Sequence, residues 1–421
     1  MKRPSVSDLT ASVLGGAGDR WAGFVALFAM AWIAPLAYLA PLGFAPMVGL
    51  TGLMAIPLFW GPGRPRPFAL WPIAVLALLF GWAAVTRIWS PYVDTHGFAE
   101  RTAFKIALQA ATAVSMVAAF SLLSRERARR AAAVLVGALV VLSLILITDT
   151  LAGVRVYQGL KAMIGEPIVY EFARRNIAQG CYVMALLFWP AAYAAGRMGW
   201  RVAMFPLGLM VAAIALGAQF LLADAPFVAF IAGAVAWLAV RWLGPLAARL
   251  LIVCGIALFC LAPLIVQEGV RSGAVGVLHR LVPASWDARL DIWAFTSSLV
   301  AEHPLRGWGL DASRAFGAAI PLHPHNAAIQ IWLELGALGA ALAGALVGWI
   351  GSILTAASRV NPSLAAAGAG SLTAYLVIGA LSFGVWQEWW LALGGLAAAC
   401  FVLVGRAWPG EQNFATRAAL G

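Results

Sequence analysis

The chain has 421 residues, of which 63% are hydrophobic and only 11% charged, and its mean hydropathy is +0.89. A soluble domain of that composition could not cover its surface with polar groups, so it indicates a polytopic helical membrane protein. The net charge of +11 does not point to nucleic acid, because the basic residues punctuate apolar spans rather than forming a patch interleaved with aromatics.

Runs of about 17–25 apolar residues are long enough to cross a bilayer. In chain order they are expected near 21–40, 43–60, 68–87, 102–123, 131–152, 177–196, 201–222, 226–243, 247–267, 326–350, 364–385 and 388–405. The first run is too long for a signal-peptide core and is expected to be retained as a span. The expected fold class is all-α, about twelve transmembrane helices. Residues 1–421 would form one integral membrane domain, with a large, partly helical loop at 267–325.

Charge predicts the orientation. With the N-terminus in the cytoplasm, the inward segments carry Lys2, Arg3, Arg20, Arg64, Arg66, SRERARR at 124–130, Arg197, Arg201, Arg241, Arg359, Arg406 and Arg417. The opposite side receives Asp94, Glu100, Glu166, Glu171, Glu268, Asp287, Asp291, Glu302, Asp311 and Glu388. The positive-inside rule therefore predicts an even number of spans with both termini inside. Two outward segments are also basic: 150–176, with Arg155, Lys161, Arg174 and Arg175, and 267–324, with Arg271, Arg280, Arg289, Arg306 and Arg314. Long loops escape the charge bias. The second contains SWDARLDIWAFTSSLVAEHPL (285–305) and is expected to be partly helical and functional rather than disordered. Cys181, Cys254, Cys260 and Cys400 lie within apolar runs and are expected to be small core hydrophobes.

Three features could carry chemistry on the outward face. The first is IPLHPHNAAIQIWLELGALGA (320–340). Pro324 predicts a helix start just after it, with His325 and Asn326 in the first turn. Asn326, Gln330 and Glu334 then share one helix face. Such a stripe is costly in a bilayer unless it lines a wet cavity or pairs internally, which makes Glu334 a candidate functional group. The plainer alternative is that His325 and Asn326 cap a helix while Glu334 pairs with an arginine. Gly336 and Gly339 would let a neighbouring helix approach. The second feature is a set of outward arginines: Arg289 in ARLDIW, one turn from Trp293; Arg174 and Arg175 at the mouth of the sixth span; and Arg314. Guanidinium forks suit phosphate and pyrophosphate, although interfacial arginines also bind membrane lipid headgroups. The third is HPLRGWGLDASR (303–314), whose Gly307 and Gly309 suit a tight loop beside a ligand. No P-loop, HExxH, Cys/His metal spacing or GxSxG motif is present, and His96, His279, His303, His323 and His325 are mostly scattered. A mechanism without metal or cofactor is expected.

The order R-x-x-I-W (Arg289–Trp293), HPLRGWGL (303–310), then His325-Asn326 and an E-x-G-x-x-G run from Glu334 to Gly339 resembles the O-antigen ligase/polymerase superfamily. These are polytopic bacterial inner-membrane glycosyltransferases with one large periplasmic loop. The ordered signature covers roughly 285–340, and FARRNIAQGCYVMALLFWP (172–190) extends the likeness more weakly. The resemblance implies glycan transfer on the periplasmic face from an undecaprenyl-pyrophosphate-linked donor. The acceptor would be lipid A–core in a ligase, or another lipid-linked repeat in a polymerase. By position it makes His325 the general base. Arg289, with Arg174 or Arg175, would hold the pyrophosphate and stabilise the leaving charge. Arg314, Asn326, Glu334 and His323 complete the expected substrate-binding set, with His323 in the loop or an outer ring. No carboxylate pair suggests a covalent intermediate, so the displacement is expected to be inverting. The chain departs from the family pattern at 221–230: many members have a Ser-Arg-Gly-like element there, whereas LLADAPFVAF has Asp224 and no arginine. The pyrophosphate contact is then expected from Arg174, Arg175 or Arg314. Compact size and the lack of a second soluble domain favour ligase over polymerase. A lipid-linked glycan transporter is the alternative of another class, but repeats and interrupted helices are not evident in the sequence.

Overall fold

A computed structural model describes residues 6–60, 70–93, 95, 97, 101–282 and 284–410. Of the residues cited above, Lys2, Arg3, Arg64, Arg66, Asp94, His96, Glu100 and Arg417 lie outside the described residues. The described chain is helical, with no strand. In order, the helices are α1 (Val6–Ala31), α2 (Ile33–Leu39), α3 (Phe44–Ala55), α4 (Leu70–Thr86), α5 (Thr102–Ser121), α6 (Arg125–Leu151), α7 (Arg155–Met163) and α8 (Tyr170–Met198). There follow α9 (Trp200–Leu221), α10 (Asp224–Leu243), α11 (Pro245–Arg271), α12 (Ala274–Leu278), α13 (Ala284–Glu302), α14 (Ala327–Val360), α15 (Pro362–Leu381) and α16 (Glu388–Ala407). Among the described residues, 12 helical segments are long and apolar enough to cross a membrane, and they coincide with the expected spans. α1 and α2 act as one segment, and short 3₁₀ turns extend α3 at both ends.

The two ends of the bundle differ in charge. One end carries Arg125, Arg127, Arg129, Arg130, Arg197, Arg241, Arg359 and Arg406. There arginines satisfy carbonyls left over at helix ends: Arg406 Nε donates to the Leu123 carbonyl (3.0 Å) and Arg129 Nε to that of Ala407 (3.2 Å). Arg127 also pairs with Asp19 at 2.9 Å. The other end carries α7, α12, α13 and the loops between α13 and α14 and between α15 and α16. α7 hangs from the buried Asp149 at the end of α6, which accepts from the backbone N–H groups of Val156 (2.8 Å) and Tyr157 (3.2 Å) and from the Tyr38 hydroxyl (2.8 Å).

α8 is the most enclosed span, packed against α6, α9 and α15, while α11 rests on α14 at the periphery. That corrects one expectation. Cys181 and Cys400 are buried, but Cys254 is exposed and Cys260 half-buried, because both belong to α11, whose apolar surface faces outward. A second correction concerns α8: it begins at Tyr170, so Arg174, Arg175 and Asn176 lie within its first two turns rather than ahead of it.

The least regular span is α14. Its 34 residues would extend about 51 Å if straight, well beyond a hydrocarbon core of about 30 Å. It is broken at Gly336, where φ is 65° and ψ −163°. The carbonyls released there accept from the chain that follows α13: Trp308 N–H donates to Leu333 (2.7 Å) and Gly309 N–H to Glu334 (2.9 Å). Ala337 N–H donates in turn to the Pro304 carbonyl (2.8 Å), and Trp82 Nε1 to Leu335 (2.9 Å). A broken helix in a membrane is tolerated only when its freed backbone groups are satisfied in this way. Residues 303–309 thus plug the break. Gly336 admits a loop rather than a neighbouring helix, and Gly339 abuts Leu335 of its own helix. Gly307 and Gly309, expected beside a ligand, lie against the backbone of α14 and of the α4 end. The sequence offers no sign of this interruption, since LGALG reads as a helix-packing pattern.

A Cβ at Gly336 would overlap the Leu305 carbonyl and stand at a φ that L residues avoid, and one at Gly307 would lie 2.6 Å from the Glu334 carbonyl. Gly336→Ala and Gly307→Ala should each cost at least about 1–3 kcal/mol. Gly137→Ala, in open space on α6, should cost nothing. Thermal unfolding in detergent checks this: equal midpoints for all three variants would show that the glycine contacts are not structural.

Candidate active site

The site rests on Glu334, fully buried in the first half of α14, before the break. Four donors converge on its two oxygens. Asp311 N–H (2.9 Å) and Trp386 Nε1 (2.6 Å) reach Oε2, while the Ser313 hydroxyl (2.7 Å) and Gln330 Nε2 (3.0 Å) reach Oε1. One carboxyl group therefore joins the loop after α13, the helix α14 and the loop between α15 and α16. Gln330 extends the link by accepting from Val385 N–H at 2.9 Å. The expected stripe is present, with Asn326 capping α14 by accepting from Ile329 N–H (3.1 Å). Glu334, however, pairs with no arginine among the described residues.

The helix begins at Ala327, one residue after this cap, so His325 precedes the first turn rather than sitting in it. Its backbone is left-handed (φ 56°), a conformation costing a non-glycine residue about 1–2 kcal/mol. α13 braces the loop, because Trp293 Nε1 donates to the Pro324 carbonyl at 2.8 Å. The strained turn brings the rings of His323 and His325 together, with centroids 4.2 Å apart and planes tilted by 57°.

Hydrogen bonding gives the two rings opposite proton arrangements. His325 N–H can only donate, and it meets His323 Nδ1 at 3.1 Å. The neutral His323 ring therefore carries its proton on Nε2 and is a donor there. The Gln387 amide stands 3.1 Å from that nitrogen and offers its oxygen after a flip, at the expense of a long 3.3 Å contact from Trp389. His325 Nδ1 faces the Ser382 carbonyl at 2.8 Å and must donate to it, which leaves Nε2 with a free lone pair. Burial pushes the His323 imidazole down to about 3, with His325, Arg314 and Arg289 adding to the effect. Burial likewise lowers His325 below the ordinary histidine value; Arg289 lowers it further, and the Ser382 carbonyl opposes both.

Arg289 of α13 donates to the Leu381 carbonyl and lies 6.0 Å from the Trp286 ring. It has no carboxylate partner among the described residues, and burial works against its charge. Arg289 and His325 are thus anchored on adjacent carbonyls at the end of α15. Tyr182 of α8 reaches the same point through Ser382 (3.3 Å). His323 also lines a cavity of about 460 Å³, together with Gln330, Arg314, Gln179, Trp386, Gln387 and Trp389, among others. Arg314 lies 3.4 Å from Asp311 and over the Tyr92 ring.

Of the expected residues, the structure brings together His325, His323 and Arg289, with Arg314 on the cavity wall and Asn326 and Glu334 supporting from behind. Arg174 and Arg175 stand apart. Arg175 is exposed roughly 10 Å along α8 from Tyr182 at 1.5 Å per residue, and Arg174 is engaged by Glu171 (2.6 Å) and Tyr170. The sequence reading missed the loop between α15 and α16, which supplies Ser382, Trp386 and Gln387. Its signal was a short outward connection, SFGVWQEWW, dense in aromatic and amide groups. Glu334→Gln would turn an amide N–H toward buried donors. It should destabilise the protein by about 1–3 kcal/mol, read as a lower melting temperature; an unchanged midpoint would mean that the carboxyl does not hold these segments.

Comparison with known proteins adds a lineage to this geometry. Residues 209–344 match the family model described as O-Antigen ligase. A Rickettsia conorii protein provisionally named a polysaccharide ligase is 26% identical over 238 residues, 53% of this chain and 56% of that protein. A Rickettsia bellii protein of the same provisional name is 30% identical over 186 residues, 40% of this chain and 44% of that one. The chain spans about half the length of these curated relatives. The family match takes in Arg289, both paired histidines, Glu334 and the break at Gly336. Over these residues the chain is similar to the O-antigen ligase family, and the relatives named polysaccharide ligases point the same way.

Proposed function

We propose that the protein transfers a glycan from an undecaprenyl-pyrophosphate carrier to lipid A–core, at the periplasmic face of a bacterial inner membrane. The observation that carries the chemistry is the arrangement of His325: Nδ1–H is held by the Ser382 carbonyl, Nε2 is free, and Arg289 is anchored one residue away on Leu381. His325 Nε2 would take the proton of the acceptor hydroxyl as its oxygen attacks the anomeric carbon. The bond from that carbon to the phosphate oxygen breaks, and undecaprenyl pyrophosphate leaves with its charge facing Arg289. A single displacement of this kind inverts the anomeric centre. The arginine-rich end of the bundle, opposite the site, supports a cytoplasmic placement of that end.

His325→Ala should lower transfer by about 10²–10⁴-fold without reducing abundance in the membrane. Normal long-chain lipopolysaccharide from cells carrying only this variant would refute the base assignment. On a lipopolysaccharide gel, a deletion strain should lose all glycan-capped core, whereas survival of core bearing a single repeat would assign polymerisation instead.

The pH dependence has a defined sign. Only the neutral imidazole accepts a proton, and His325 lies below its ordinary value. Transfer should therefore persist as the medium falls below about pH 6.5, the unperturbed histidine value, and fail only at lower pH. Arg289→Gln removes a charge that holds His325 down, so its acid limb should move to higher pH. A kcat/KM profile with an unmoved limb in that variant would detach Arg289 from the base.

A further inference from the structure

The cavity beside His323 is not needed to hold either His325 or Arg289, yet it is built from an uncommon set of side chains. Its volume of about 460 Å³ falls within the roughly 300–1,000 Å³ of small-molecule sites. Its wall combines aromatic rings, Trp386 and Trp389, with three carboxamides, Gln179, Gln330 and Gln387. The charged groups there are matched in pairs: Asp311 with Arg314 at 3.4 Å, and Glu388 with Lys105 at 3.1 Å. His323 is neutral. The wall therefore offers no unbalanced charge to a phosphate or a carboxylate.

The carboxamides differ in what remains free. Gln330 is committed to Glu334 and Val385, and Gln387 to His323. Gln179, on α8, has a buried side-chain oxygen with no hydrogen-bond partner among the described residues. An amide both donates and accepts, as a sugar hydroxyl does, so an unpaired amide in a charge-balanced aromatic pocket matches a ring with several neutral hydroxyls. A buried acceptor left empty costs free energy that a bound hydroxyl recovers.

We propose that this cavity is a subsite for one neutral sugar ring of the transferred or receiving glycan, and that Gln179 reads its hydroxyls. The inference rests on the glycan-transfer reading above and deepens it. Gln179 stands one turn from Tyr182 on α8, so the sugar side, with Gln179 and Gln387, adjoins the pyrophosphate side, with Arg289 and Tyr182. His323, a donor at Nε2, lines the sugar side.

Saturation-transfer NMR on the full chain in detergent tests this, with methyl glycosides of neutral hexoses as probes and glucuronate and inorganic phosphate as controls. At least one neutral glycoside should bind saturably, about tenfold more weakly in Gln179→Leu, which keeps volume but removes the amide. His325→Ala should leave this binding intact, so loss of the base and loss of the subsite are separable. Gln179→Asn, a shorter amide, provides a second variant if the leucine variant does not fold. No saturable neutral binding, equal binding in the wild type and both variants, or binding confined to glucuronate or phosphate would overturn the proposal. Transfer kinetics then separate the sources. A KM raised for the lipid-linked donor alone assigns the sugar to the donor, and one raised for lipid A–core alone assigns it to the acceptor. Unchanged KM values for both would overturn the subsite.

Discussion

A single buried carboxyl group holds this site together. Glu334 sits where the bilayer gives polar groups no water, so its two oxygens must be satisfied by protein, and the donors that do so come from three separate stretches of chain. Two residues later the helix breaks, and the carbonyls released are taken up by residues 308 and 309. The carboxyl and the break act on the same loop, which is thereby pinned to α14 twice. An intramembrane acid in a polytopic protein invites a transport reading. Here its hydrogen bonds are all internal and its break is filled by backbone, which leaves it as a fastening point rather than a station on a path.

From that fastening follows the geometry of the histidines. Pro324 and the left-handed turn at His325 put two imidazoles in contact, and such a pair would be interchangeable if only composition mattered. Backbone groups make them different. The N–H of His325 occupies Nδ1 of His323, while the carbonyl of Ser382 occupies Nδ1 of His325. One ring is left a donor and the other an acceptor at Nε2. Burial beside Arg289 favours the neutral form of both, which suits proton transfer at the acceptor ring and hydrogen bonding at the donor ring.

Arg289 owes its value to what it lacks. A guanidinium partly buried on a carbonyl and an aromatic face, with no acid beside it among the described residues, keeps its charge available for an anion. Arg314 and Arg174 are held by Asp311 and Glu171 and are correspondingly less free. Asp224, and no arginine, stands at the start of α10, so under the proposed transfer the anion-binding role falls to Arg289 on α13.

Much of this molecule was legible in its sequence. Twelve apolar runs specify twelve helical segments, because a bilayer admits few other solutions and backbone hydrogen bonds close within each helix. The period of 3.6 puts Asn326, Gln330 and Glu334 on one face, and the proximity of His323 to His325 is set by a single intervening proline. What sequence could not specify were the relations between segments far apart in the chain. The break at Gly336 is stable only because residues 303–309 arrive to fill it. Glu334 becomes a hub only when Trp386 and Asp311 reach it, and the proton positions on the two histidines depend on Ser382 and on backbone geometry. Local periodicity and hydropathy determine which stretches are helices and which face is polar. Only the tertiary structure decides which distant carbonyl or amide meets each polar atom, because in a membrane every such atom must find its partner within the protein.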